Sequence, residues 1–243
     1  MKIKMIGTGS ITVKERSSCI LIDDKILIDC GNGTIKTLLE QNVDINKIDT
    51  LLITHLHGDH FLDIPFLIIQ RKHSFPDNEL AIYCPKGTEE AVGKIIDIAY
   101  PSPTDWKILR DKTKVKFIEF ETLNNTEITK DYFVDSYNVV HGNSGPSYGY
   151  IIKNNDKSVG ISGDSTYCEN IDKIVKESDL SILDMSFEKS NEKHMGVDDI
   201  KMLFKKYNKR IISTHMSEEA RQCALKLNIK SLIVPNDGDE IVI

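Results

Sequence analysis

Three histidines and an aspartate are crowded into six positions near residue 57. Residues 54–60 read THLHGDH and follow residues 50–53, TLLI, which have the apolar pattern of a buried strand. His55 and His57 alternate, so in extended backbone their side chains point the same way. Gly58 permits a tight turn, after which the start of a helix can turn two more ligand-type side chains back toward the pair: Asp59 and His60. Imidazole and carboxylate suit zinc, and without thiolate the pattern predicts an open, catalytic metal site.

Other residues of metal-ligand type follow other predicted strands. Four residues from one short segment would leave a single metal incompletely caged, so partners are expected elsewhere. His141 follows the apolar run NVV, Asp164 follows VGISG, and His215 follows RIIST. A lone histidine after a strand is usually a surface residue, but the recurrence at three strand ends predicts that these residues complete the site.

The elements that must position these side chains alternate between strand and helix. Period-two apolar runs predict strands at residues 3–6, 19–22, 26–29, 50–53, 80–83, 115–120, 132–140, 148–153, 158–162, 180–183, 210–213 and 231–234. Helical patterns cover residues 34–40, 61–71, 88–99, 171–177, 197–206 and 218–227, with Thr88 as a cap. A loop is expected around Pro101, Pro103 and Trp106. Because strand-rich and βα blocks occur in both halves without a linker, we predict one α/β domain over residues 1–243, with two sheets between outer helices.

The composition limits the cellular environment of the protein and the classes of partner that it can bind. The net charge of −6 disfavours a polyanionic partner, because neutralisation of phosphates supplies most of the affinity for nucleic acid. Five scattered cysteines without a CxxC pair indicate reduced thiols in a cytoplasm. No apolar run approaches the roughly 20 residues that span a bilayer, and no signal peptide is apparent, so no membrane association is expected.

With this pattern, the chain resembles the metallo-β-lactamase-fold hydrolases along nearly its whole length. The fold that the resemblance implies is a four-layer αββα sandwich, and Asp29 in LIDCG matches a group that orients the ligand loop. By resemblance, two zinc ions share Asp164 as a bridge, one of them held by His55, His57 and His141 and the other by Asp59, His60 and His215. Manganese or iron could fill the same ligand set.

Within that superfamily the sequence is similar to the ribonuclease Z branch. The opening IGTGS, the SYGYII strand, the GISGDS turn and a histidine before a helix, His194, carry this similarity. The branch implies hydrolysis of phosphodiesters by water that the metals activate. In that reaction Asp59 would take a proton from the water, and His194 would stabilise charge or protonate the departing oxygen.

The prediction of the substrate rests on a difference between this chain and the ribonuclease Z enzymes. Ribonuclease Z enzymes carry a long arm for tRNA between the third histidine and the bridging aspartate, but only 23 positions separate His141 from Asp164. Without that arm the chain is similar to armless cyclic-nucleotide phosphodiesterases of the anti-Pycsar type. We therefore expect a small nucleotide phosphodiester, cyclic or short. Processing of tRNA 3′ ends, hydrolysis of another ester such as a lactone, and a metal-binding scaffold without hydrolysis stay open.

Two further expectations concern assembly and the central loop. Relatives of this branch are commonly homodimers, so a homodimer is expected by resemblance. The loop from Tyr100 to Trp106 is the only aromatic loop in the middle of the chain. Simple packing of this loop is favoured over a substrate lid or a dimer contact.

Overall fold

Alternating side chains along short strands build a sandwich of two sheets. In the computed structural model, which describes residues 1–74, 78–101 and 106–243, strand β2 spans Cys19–Ile22. Its Ile20 and Ile22 lie in the core between the sheets, whereas Cys19 and Leu21 lie in the core on the outer face. The period of two expected of a pleated strand thus divides β2 between two cores.

The first sheet is built from the strands of the N-terminal half of the chain and one strand from its other end. Among the described residues it has seven strands in the order β14-β1-β2-β3-β4-β5-β6, with β3 to β6 parallel to one another. Its strands besides β2 are β1 (Lys2–Gly7), β3 (Ile26–Ile28), β4 (Thr50–Leu52), β5 (Leu80–Pro85), β6 (Val115–Phe120) and β14 (Glu240–Val242).

The second sheet carries the C-terminal half. Its order over the described residues is β13-β12-β11-β10-β9-β8-β7, and β10 to β13 are parallel. These strands are β7 (Thr126–Thr129), β8 (Tyr132–Asn138), β9 (Tyr148–Lys153), β10 (Ser158–Ile161), β11 (Leu180–Asp184), β12 (Arg210–Thr214) and β13 (Leu232–Ile233).

Helices cover the outer face of each sheet. The helices are α1 (Thr34–Glu40), α2 (Gly58–Phe61), α3 (Ile64–Ser74), α4 (Thr88–Ala99), α5 (Trp106–Lys112), α6 (Glu169–Glu177), α7 (Val197–Tyr207) and α8 (Glu218–Leu225). Apolar side chains from α1, α3 and α4 form a buried cluster on the first sheet, and those from α6, α7 and α8 form another on the second. The result is the four-layer αββα sandwich that the sequence predicted.

The strand directions bring several chain segments to one edge of the sandwich. β8 is antiparallel to β9, which is antiparallel to β10, so β8 runs the same way as β10 and its parallel neighbours. The carboxyl ends of β4, β8, β10 and β12 lead into the candidate ligands, and open α/β sheets commonly bind ligands at such an edge. Within the described part of the chain no helix is both long and apolar enough to cross a bilayer.

Some local predictions were wrong. The helix expected over residues 61–71 is two helices, α2 and α3, because the chain turns at Leu62 and Asp63. Thr88 does not cap α4: Gly87 is the N-cap, and the Thr88 hydroxyl donates a hydrogen bond to the Pro85 carbonyl.

The expected central loop also differs in part. Trp106 is not in a loop but begins α5, where its ring packs edge-on against Phe117 with centroids 5.9 Å apart. Residues 102–105 of that predicted loop lie outside the described residues.

Candidate metal centre

Asp29 organises the segment that carries the HxHxDH motif. The residue follows β3 in the left-handed region, at φ 61°, a conformation that costs most L-residues about 1–2 kcal/mol. Its carboxylate accepts hydrogen bonds from the backbone N–H of Thr54 at 2.8 Å and from the Thr54 hydroxyl at 2.9 Å. The other end of the motif is held too, since His60 Nδ1 donates to the same carboxylate at 2.8 Å. Asp29 therefore fixes both ends of the motif.

All seven predicted ligands lie in one cluster at the edge of the sandwich. One group, in which all ligand atoms are within 4.8 Å of one another, consists of His55, His57, His141 and Asp164. A second such group consists of Asp59, His60 and His215. Six of the seven are buried, and His57 is the exception.

Asp164 stands between the two groups. Its Oδ2 is 3.3 Å from Nε2 of both His60 and His215, and 3.8 Å from Nε2 of both His55 and His141. One carboxylate oxygen thus faces four imidazoles drawn from both groups. This is the position that a bridging ligand needs.

The outer nitrogens of four of the histidines are held by protein atoms, which orients the other ring nitrogen inward; these are His55, His60, His141 and His215. His141 Nδ1 donates to the Lys193 carbonyl at 2.8 Å, so its Nε2 carries no proton in the neutral ring. His215 Nδ1 lies 2.8 Å from the Ser186 hydroxyl, and His55 Nδ1 lies 3.0 Å from the Thr54 hydroxyl. Such outer contacts are the usual way in which a protein fixes the tautomer of a metal-binding histidine.

Electrostatics differ between the two groups. Burial lowers the pKa of His141 and holds that of His55 well below its usual value, so both rings are neutral. Burial acts the same way on His60, but the carboxylates of Asp164 and Asp29 outweigh it and raise its pKa well above the usual value. Burial would raise the pKa of Asp59, but the hydrogen bond from His215 and the charges of His60 and His215 together outweigh it and leave the pKa lowered, which keeps Asp59 a carboxylate.

The donor set fits divalent cations. His55 Nε2 and His60 Nε2 are buried and have no hydrogen-bond partner among the described residues, although leaving a buried polar atom unsatisfied costs about 1–3 kcal/mol. His57 Nδ1 and His141 Nε2 point at each other across 3.1 Å. Nitrogens that converge without partners are explained if they share a cation, and the mixture of imidazole and carboxylate suits zinc.

His194 lies beside both groups and is held by a buried carboxylate. Its Nδ1 donates to Asp184 Oδ2 at 2.9 Å, and its ring stacks on that of His215 with centroids 5.2 Å apart. Asp184 is fully buried and also accepts hydrogen bonds from the Ser186 hydroxyl at 2.6 Å and from the Ser165 backbone N–H at 3.1 Å. The side chain of His194 keeps 16% of its surface exposed, so the ring can reach a bound substrate.

Sequence reasoning missed Asp184 and Ser186. Asp184 is the last residue of β11, the same kind of position that singled out Asp164 and His215. The rule of polar residues at strand ends would have found it. Ser186, which joins Asp184 to His215, carries no such signal because a single serine is common in any loop.

Comparison with known proteins places the chain in a family. The family model described as "Anti-Pycsar protein Apyc1" matches residues 1–236. The chain belongs to this family. The result confirms the resemblance to the armless, anti-Pycsar-type branch that the sequence suggested.

Relatives and solved structures agree with this placement. The chain is 35% identical over 158 residues to a ribonuclease Z of Methanococcus maripaludis, a match that covers 63% of this chain and 49% of the relative. The chain thus spans about half the length of the curated relatives that it matches first. The short form of human tRNase Z superposes with a TM-score of 0.77 at 20% identity, covering 100% of this chain and 99% of that one.

A diphosphatase of the PhnP family superposes with a TM-score of 0.73 at 18% identity, covering 100% of this chain and 97% of the other. At such identities the likeness shows the fold. Together with the family match, these relatives support the prediction of a metal-dependent hydrolase with the metallo-β-lactamase fold.

Proposed function

We propose that this Apyc1-family member is a phosphodiesterase that uses two divalent cations, zinc in the first instance, to hydrolyse small nucleotide phosphodiesters, cyclic or short. The observation that carries the proposal is the buried cluster of convergent imidazoles around Asp164. His55, His57 and His141 would hold one cation and Asp59, His60 and His215 the other, with Asp164 shared. When bound, such cations stabilise charge on a phosphoryl group and lower the pKa of water.

The protein's own groups would then move protons. Asp59, whose pKa is held low, is a carboxylate that can accept a proton from the attacking water. His194 donates its Nδ1–H to Asp184, so Asp184 fixes the orientation of the ring with Nε2 directed away from that carboxylate. The imidazolium form of His194, which carries a proton on both nitrogens, would donate a hydrogen bond or the Nε2 proton to the departing oxygen and leave the ring neutral.

The short connection between His141 and Asp164 supports a small substrate. β9, β10 and the turn between them occupy most of it, leaving only the loop of residues 142–147 at the cluster. No arm for a folded RNA can be built from so short a segment, and the net charge of −6 does not replace one. Membership of the Apyc1 family agrees with this choice.

The proposal is tested by assaying purified, zinc-loaded protein on three substrates. We expect turnover of a 3′,5′-cyclic mononucleotide and no cleavage of a precursor tRNA or an acyl homoserine lactone. Cleavage of the precursor tRNA alone, at its 3′ end, would show that the protein is a processing nuclease. Turnover of the lactone alone would assign it to acyl esters.

A further inference from the structure

A polar cavity opens next to the least buried member of the ligand cluster. It encloses about 430 Å³ and is lined by His57, Gly142, Asn143, Ser144, Glu192 and Lys193. His57 is the ligand candidate that is not buried, so the cavity reaches the cluster from solvent through this side chain. Two loops form its walls, one after His141 and the other before His194.

Lys193 is fixed against the cavity wall at several points. A Cβ added at Gly142 would lie 2.9 Å from Cγ and 3.1 Å from Cε of Lys193, so the lysine stem lies directly across the glycine. The Lys193 backbone N–H donates to Asn191 Oδ1 at 2.8 Å, and its carbonyl accepts from His141 at 2.8 Å. Gly142 is suited to this contact because it has no side chain and adopts φ +57°.

The ammonium of Lys193 is available to a ligand. Among the described residues it forms no ion pair, although Glu192 lines the same cavity. The cavity therefore offers an ammonium, an amide and a hydroxyl as hydrogen-bond donors, and a carboxylate as an acceptor. Its described lining contains no apolar side chain, so recognition here depends on polar contacts.

We propose that this cavity is the specificity site for the organic group of the phosphodiester, and that Lys193 is the residue that determines this specificity. The inference rests on the proposed function. The group that fits is rich in oxygen and nitrogen acceptors and carries hydroxyls, as a nucleoside does, with Lys193 and Asn143 donating to acceptors and Glu192 accepting from a hydroxyl. A site built to hydrogen-bond a substrate discriminates strongly against analogues that lack the matching groups.

The test compares a substrate that has a nucleoside with one that does not. Lys193→Met keeps the stem against Gly142 and removes the charge. We expect it to raise KM for 3′,5′-cyclic AMP about tenfold, the loss of one hydrogen bond to a charged group, with kcat changed less than twofold. KM for bis(p-nitrophenyl) phosphate, which has no sugar or base, should rise much less. Lys193→Arg, which keeps the charge, should restore most of the affinity for cyclic AMP.

A matched control and the metal content separate the alternatives. Lys201 is an exposed lysine on α7, outside the cavity, and Lys201→Met should behave as the wild type on both substrates. An equal rise of KM for both substrates would show that Lys193 attracts anions in general. Zinc loss in Lys193→Met would show that Lys193 acts through His141. Either result would overturn the specificity role. An unchanged KM for cyclic AMP would do the same. A wild-type protein that hydrolyses neither substrate would instead overturn the proposed function, and this inference with it.

Discussion

At the scale of single residues, His194 is the proposed reacting side chain that is not one of the seven predicted ligands. Its Nδ1 donates to Asp184, and its ring faces both His141 and His215. Because a ligand atom of His194 also lies within 4.8 Å of ligand atoms of Asp164 and His215, zinc content has to be measured together with turnover. Removal of His194 should leave the seven ligand candidates in place.

We therefore expect His194→Ala to lower kcat for a cyclic mononucleotide by about 10²- to 10⁴-fold, the usual contribution of a positioned acid or base, with zinc content unchanged. Steady-state kinetics and metal analysis by mass spectrometry measure the two quantities. His73→Ala is the control, because His73 is an exposed histidine on α3. Wild-type turnover in the His194 variant would remove it from the reaction.

The members of the cluster could be predicted from sequence, but their backbone could not. Polar residues directly after apolar runs identified His141, Asp164 and His215, because parallel strands end at one edge. The left-handed conformations of Asp29 and His215, at φ 61° and 54°, cannot be recognised from the sequence. They are imposed by contacts with distant segments, such as the hydrogen bond from Met216 to the Thr8 carbonyl.

At the scale of elements, a contact between the end of β3 and α2 positions α2, the helix that carries the ligand candidates Asp59 and His60. Cys30 N–H donates to the His60 carbonyl at 2.8 Å. Beside it, a Cβ at Gly31 would lie only 1.7 Å from the Asp59 carbonyl oxygen. The backbone of α2 therefore rests directly on a glycine.

Gly31→Ala should displace α2 and with it Asp59 and His60. We expect overpacking to cost about 1–3 kcal/mol of stability and the bound zinc to fall below the wild-type stoichiometry. Gly33→Ala is the matched control, since nothing lies within 4 Å of a Cβ there and its φ of +84° adds only strain of about 1–2 kcal/mol. Urea unfolding and metal analysis report both effects. Full zinc loading in Gly31→Ala would show that this contact does not position the ligands.

Elements with a continuous or periodic apolar pattern were predictable even when short, as β3 and β13 were, whereas two short strands at the sheet edges with a weaker pattern were not. α4 and β6 were expected at the bounds at which they occur, since their apolar periodicity extends over several residues. β7 and β14 went unpredicted because their sequences, TEIT and EIV, contain only one and two apolar residues. β14 depends on pairing with β1 from the other end of the chain, so its formation is a tertiary effect.

At the scale of the whole molecule, the ligand cluster joins the two sheets. His55, His57, Asp59 and His60 follow β4 of the first sheet, whereas His141, Asp164 and His215 follow β8, β10 and β12 of the second. Cations held by both sets would cross-link the sandwich at one edge. A ligand that binds only the folded state stabilises it, by about 4 kcal/mol at 1,000 times its Kd.

Removal of the metal should therefore lower the thermal stability of the protein. For a chain of this size about 4 kcal/mol corresponds to a fall in Tm of roughly 10 °C, which calorimetry of zinc-loaded and chelator-treated protein would measure. Readdition of zinc should restore Tm. Asp164→Ala lacks the carboxylate that faces both ligand groups, so its Tm should respond to the chelator much less. Equal Tm values for loaded and stripped wild-type protein would mean that the cluster does not tie the sheets together through bound cations.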